Sequence, residues 1–151
     1  MRISAKGEYA IKAVLDLALH RDRDLIPIQE IAEREAIPQR YLEQVLLSLK
    51  RAGILTSKRG SSGGYHLTKA PDEITVGAVL RAVEGTGVPF ETGASSLRPQ
   101  ARPRNGHGDD LAELWRRISD AVSQVVDQLT FGELAAQAAQ RRAARRPMWH
   151  I

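Results

Sequence analysis

The chain has 151 residues, 22 lysines and arginines against 18 aspartates and glutamates, a net charge of +4 with neutral histidines, and no cysteine. Such a length allows one hydrophobic core with appended elements, and the missing thiols exclude disulfides, cysteine nucleophiles and thiolate-ligated zinc or iron–sulfur centres. No apolar run has the length of a membrane span and the start "MRISAKGEYA" lacks the unbroken apolar core of a secretion signal, so a cytoplasmic location without membrane contact is expected.

From Ala5 to His20 the apolar positions Ala10, Ile11, Val14, Leu15, Leu17 and Ala18 recur at three- and four-residue steps, with Lys6, Glu8, Lys12 and Asp16 between them. This spacing predicts a helix with one buried face. "RDRDL" reads as a charged loop. Pro27 suits the opening of a second, short helix, "IQEIAERE", with Ile28, Ile31 and Ala32 inward. Pro38 disfavours helical geometry at Ile37 and can start a third helix from Gln39 to Ala52, which buries Leu42, Val45, Leu46 and Leu49. Gly53 ends it in the left-handed conformation. Two short helices around a tight turn, the second one basic, fit a helix-turn-helix.

"ILTSKRG" and "GYHLTK" then read as two strands joined by "GSSGG", so a hairpin follows directly on the basic helix. The glycine-rich loop admits two other readings. A phosphate cradle would need a helix opening immediately after it, whereas Tyr65, His66 and Leu67 follow as a strand. A plain hairpin turn without function stays open, because glycine serves positive backbone angles anywhere. Charge is unevenly placed: residues 39–69 carry Arg40, Lys50, Arg51, Lys58, Arg59 and Lys69 against Glu43 alone, and a further basic run begins at Arg141. The remainder is acidic, which fits a localised polyanion-binding face and, equally, a charged helix that is simply solvated.

"APDEITVGAVLRAVEG" predicts a fourth helix stopped by Gly85, with Ile74, Val79, Leu80 and Val83 packing inward. Residues 91–108 hold Leu97 as their only sizeable apolar side chain among prolines and glycines, the composition of a mobile loop. From Asp109 the chain enters its longest predicted helix. Leu111, Leu114, Ile118, Ala121 and Val125 follow alternating steps, widened by Trp115, Val122, Val126 and Leu129. So broad an apolar stripe calls for a cover, either helix pairing in a dimer or the chain's own small domain. "TFGE" has capping-box spacing and predicts a last short helix, and "RRPMWHI" supports no element.

Taken together, "MRISAKGEYAIKAVLDLAL", "IPIQEIAEREAIPQRYLEQVLLSLKRAGIL", "RGSSGGYHL" and "ITVGAVLRAVEG" closely resemble the winged-helix regulators of the Rrf type, a family that includes iron–sulfur, nitric-oxide and cysteine-metabolism regulators. The resemblance is nearly gapless to about residue 85 and resumes at "LAELWRRISDAV" and "TFGEL". It implies a mainly α fold with a small β-hairpin wing, a homodimer with crossing long helices, and two wings presented to a pseudo-palindromic operator. The implied organisation is a DNA-binding unit over residues 1–85, a flexible loop over 86–108, a dimerisation helix and short C-terminal helix over 109–140, and a basic tail over 141–151. Leu111, Leu114, Trp115, Ile118, Val122 and Val125 become the dimerisation residues.

In this family the third helix enters the major groove, which makes Arg40, Tyr41, Glu43 and Gln44 contact residues here. Glu43 can accept from a cytosine amino group, Gln44 can read adenine, and Arg40 can hold guanine or a phosphate. Tyr41 suits the backbone, and both Tyr41 and Gln44 could instead merely cover the helix. The family's wing arginine corresponds to Arg59, which the resemblance puts in the minor groove, where narrow A·T tracts deepen the negative potential. Lys50 and Lys58 join the expected DNA contacts, and Gly60, Gly63 and Gly64 keep the tip thin.

The chain departs from the family in one place. Cluster-binding members carry three cysteines before the long helix, where this chain has "ETGASSLRPQARPRNGHGDD". Glu8 stands where some members supply an acidic ligand, and without thiolate partners it reads as a surface carboxylate. His20, His66, His107 and His150 have no helix or hairpin metal spacing. The expectation is a DNA-binding transcriptional regulator, a repressor without cofactor or metal, switched by a small-molecule effector or a docking metabolic enzyme. The rival is a protein-interaction adaptor of the same fold that reads no DNA. No grouping of serine, histidine and carboxylate supports an enzyme.

Overall fold

The computed structural model describes residues 3–85 and 108–145, apart from the side chains of 108–110. Helix α1 (Ala5–Leu19) is started by Ser4, whose Oγ accepts the Gly7 N–H at 3.0 Å. Its inward face, Ala10, Ala13, Val14 and Leu17, forms the centre of the core. Helix α2 (Ile28–Glu35) follows Pro27 and stops at Ala36, a non-glycine residue at φ 52°. Pro38 precedes α3 (Gln39–Arg51), which buries Leu42, Val45, Leu46 and Leu49, and Gly53 at φ 79° releases the chain from it.

Strands β1 (Leu55–Lys58) and β2 (Gly64–Leu67) pair antiparallel, in register from Leu55 opposite Leu67 to Lys58 opposite Gly64. Ile26 extends this hairpin: its N–H donates to the Tyr65 carbonyl at 3.0 Å and its carbonyl accepts the Tyr65 N–H at 2.9 Å. The approach leaves no room at Gly64, where a Cβ would stand 2.6 Å from the Ile26 carbonyl carbon and oxygen. Gly64 is therefore the residue that lets the wing base lie against the domain.

The predicted fourth helix is shorter than its sequence stretch. Pro71–Glu73 form one 3-10 turn, Ile74 is extended, and α4 (Val76–Glu84) starts only after Thr75, whose Oγ1 accepts the Ala78 N–H at 3.1 Å. The reason is pairing with a distant segment. The Ile74 carbonyl accepts the Phe131 N–H and the Val76 N–H donates to the Leu129 carbonyl, both at 2.9 Å. Those bonds hold Ile74 and Thr75 extended at the junction between α5 (Gly108–Gln128) and α6 (Phe131–Arg145). Arg81 of α4 reinforces it with two hydrogen bonds to Asp127 of α5, at 2.6 and 2.8 Å.

Helix α5 is the longest, as expected, and opens at Gly108, so the flexible loop expected over 86–108 otherwise lies outside the described residues. The last helix is not short: Thr130 caps it by accepting the Glu133 N–H at 3.2 Å, and it runs for 15 residues through Arg141, Arg142 and Arg145. Only residues 146–151 of the expected tail fall outside the described part. Asp16 also departs from expectation. Placed by periodicity among the polar positions of α1, it is 1% exposed, because Arg34 of α2 reaches it with two hydrogen bonds at 2.8 and 2.9 Å.

Candidate nucleic-acid interface

The outward side of α3 follows from its inward one. With Leu42, Val45, Leu46 and Leu49 buried, the helical period leaves Arg40, Tyr41, Glu43, Gln44, Leu47 and Lys50 exposed. Glu43, Leu47 and Lys50 face a groove of about 470 Å³ whose opposite wall is the wing, through Lys58, Arg59, Gly60 and Gly63. The N-terminus of α2, Pro27 to Gln29, closes one end. Its free amides and the positive end of its dipole add to the attraction for an anion there. Lys50, Lys58 and Arg59 make no ion pair among the described residues, so their charge is unspent.

Tyr41 and Gln44 lie on the far flank of α3, beside Lys6 and Tyr9 of α1. The Arg40 guanidinium sits 5.1 Å from the Tyr41 ring centre and donates to its hydroxyl at 3.3 Å, which holds Arg40 along the helix. At the wing tip Gly60 has φ 117°, and a Cβ on Gly63 would stand 2.1 Å from the Lys58 carbonyl oxygen, so both glycines are required by the turn itself. Gly64 is buried beneath them against Ile26. The groove thus joins Glu43, Lys50, Lys58, Arg59, Gly60, Gly63 and Gly64. It also takes in Leu47, 46% exposed, and Tyr65, neither of which the sequence reading singled out. The i, i+4 relation of Leu47 to Glu43 was the available signal.

A charge network fixes α2 behind this surface. Arg34 bridges Asp16 and Glu30, bonding Glu30 at 2.9 Å, and Arg23 in the preceding loop also grips Glu30. Hydrogen bonds from Arg23 and then Arg34 pull the Glu30 carboxyl down to about 2, and the Asp16 carboxylate raises the Arg34 guanidinium above its usual range. His20 completes the cluster, its Nδ1 lying 2.8 Å from the Asp16 carbonyl oxygen. These basic groups are neutralised internally, in contrast to those of the groove.

The Rrf2 family, described as iron-dependent transcriptional regulators, matches residues 3–137. This chain belongs to that family. The HTH-type transcriptional regulator IscR of Aliivibrio salmonicida is 37% identical over 134 residues, covering 89% of this chain and 77% of the relative. Among solved structures, CymR, the global cysteine regulator of B. subtilis, matches with a TM-score of 0.72 and 34% identity over 91% of this chain and 98% of its own. T. potens IscR gives a TM-score of 0.73 at 28% identity, over 91% and 88%. The Rrf2 family consists of DNA-binding transcriptional regulators, and these relatives are regulators rather than enzymes.

The family's description names iron, and the donor set of this chain does not fit a thiolate-held centre. The sequence supplies no cysteine. Among the described residues no three of His, Asp and Glu gather as a metal would need, and Glu8 is exposed and paired with Lys12 at 3.3 Å. No helix among the described residues is long and apolar enough to cross a membrane.

Proposed function

We propose that this Rrf2 regulator is a sequence-specific repressor that binds a pseudo-palindromic operator as a homodimer, without control by a cysteine-ligated iron–sulfur cluster. Residues 1–85 read DNA and residues 109–140 pair the protomers. The observation that carries the reading is the groove itself, a basic wing with unpaired Lys58 and Arg59 facing a helix whose outward stripe offers Glu43 and Lys50. In a complex, Glu43 and Gln44 address base edges, Arg40 and Lys50 hold phosphate or guanine, and Arg59 enters the minor groove. Tyr41 meets the backbone. The signal is a small molecule or a docked metabolic enzyme, and the absence of thiols supports a switch of that kind.

The apolar stripe of α5 supports the dimer. Leu111, Leu114, Trp115 and Val125 are exposed in the protomer, Ile118 and Val122 are half-buried, and Val126 alone on that helix is buried among the described side chains. A stripe of that size in water favours a partner helix.

Selection of bound fragments from genomic DNA, followed by fluorescence anisotropy on the selected and a scrambled duplex at two salt concentrations, tests the reading. Arg59→Ala weakens operator binding by about 1–3 kcal/mol and relaxes discrimination at A·T-rich positions, while Glu43→Ala changes which bases are preferred. Equal losses on both duplexes for Glu43→Ala would remove its reading role. A protein that binds no duplex, or binds all alike, would leave the adaptor reading in its place.

A further inference from the structure

The wing separates two grooves. One is the groove toward α3 described above; the other, of about 580 Å³, lies between the hairpin, the end of α1 and the loop leading to Ile26. Ser57, Lys58 and Tyr65 border both, so the hairpin is the wall between them. The second groove has a partly apolar floor, with Leu17 and Ile26 buried beneath it, and a basic rim. Arg21 and His66 stand on that rim, exposed and without an ion pair among the described residues, and Lys58 reaches it from the shared wall. Arg23 on the same rim is already occupied by Glu30. Among the described residues Asp24 is the one acid lining the groove, so their balance is cationic.

We propose that this second groove is a phosphate-contacting surface for the same duplex, in which Arg21 and His66 hold the backbone strand on the outer side of the wing. The proposal rests on the reading of the first groove as a DNA site. A wing tip in the minor groove, about 6 Å across, is flanked by phosphates of both strands, one on each side of the hairpin. The α3 side receives one strand. The unpaired Arg21 and Lys58 match the second in charge and in placement, the His66 ring offers a hydrogen bond beside them, and together they extend the footprint outward from the operator centre. Contacts of this kind position the protein and carry no base preference. Arg21 thus adds to affinity and salt dependence alone.

The test uses the full chain, a duplex carrying a selected site with long flanks, and the same duplex trimmed on the flank beyond the wing. Arg21→Ala and the double variant Arg21→Ala/His66→Ala remove exposed side chains with no internal hydrogen bond, and thermal melting checks that their fold is intact. On the long duplex, Arg21→Ala weakens binding about fivefold at low salt, equally for selected and scrambled sequences, and lowers the salt slope by about 0.9. On the trimmed duplex the variants match the wild type. Arg59→Ala, by contrast, weakens binding to both lengths. Unchanged affinity and slope for the double variant on the long duplex, with Arg59→Ala still impaired, overturns the second surface and leaves the first groove standing. A loss that persists undiminished on the trimmed duplex overturns it as well. So does inorganic phosphate that stabilises the wild type but not Arg21→Ala while DNA affinity is equal, since the groove then takes a small anion. Failure of the wild type to bind either duplex strikes the DNA reading itself.

Discussion

Helices α1 and α5 are both amphipathic, and they end up in opposite circumstances. The apolar face of α1 meets α3, α4 and α6, and Ala10, Ala13, Val14 and Leu17 are at most 2% exposed. Among the described residues, the face of α5 meets its own chain toward its C-terminal end, through Val122, Val126, the Arg81–Asp127 pair and the Leu129 to Phe131 junction. Upstream, Leu114 is 46% exposed. An apolar stripe therefore says that a helix needs a cover and leaves open which chain supplies it. The protomer satisfies α1 by itself, whereas α5 is anchored at one end and otherwise presented.

The sharpest way to break that contrast is one kind of truncation on each helix. Leu17→Ala removes a buried side chain at the centre of the core and costs about 2–5 kcal/mol, read as a lower urea midpoint with an unchanged slope. The loss is the same at every protein concentration, because no partner is involved. Leu114→Glu on α5 touches no protomer core. It weakens self-association at least about tenfold, or about 1.4 kcal/mol, in sedimentation measurements, and it removes the dependence of melting temperature on concentration. If Leu114→Glu instead lowers stability uniformly at all concentrations with the oligomer intact, the stripe serves the protomer and the contrast is void.

The same two helices show what the linear sequence can convey. Pro27, Pro38 and Gly53 are local signals, and the bounds of α2 and α3 fall beside them, because proline and glycine act on their own backbone angles. The outward residues of α3 were legible for a similar reason, since burying one face of a helix decides the other. Asp16 was not, because its partner Arg34 is 18 residues away and on another helix. Nor was the start of α4, which depends on bonds to Leu129 and Phe131 from the far end of the chain. Gly64 looked like a wing-tip residue, and only the backbone of Ile26 shows why a side chain is excluded there. The second groove escaped the sequence reading because it assembles the α1–α2 loop with the wing, two segments that share no periodicity.

A smaller effect separates the polar attachment of α1 from that of α5. Glu30, in the network that ties α2 to α1, is held down at about 2 by Arg23 and Arg34, while Asp127 on α5 is lowered by Arg81 alone. A carboxylate with a depressed folded-state value contributes stability above its unfolded value of about 4.5 and loses it as pH falls toward the folded one. Acidification from pH 5 toward pH 2 should therefore lower the urea midpoint, and Glu30→Gln should lower the midpoint at pH 5 and flatten part of that fall, the two proteins converging only as the pH nears 2. Asp127→Asn flattens it less, since one arginine rather than two holds that carboxylate. Both groups are solvent-accessible, so each change is modest. A profile for Glu30→Gln as steep as the wild type's would mean that the network orients α2 without stabilising it. The attachment of the helix-turn-helix to α1 would then rest on Asp16, Arg34 and the core beneath them.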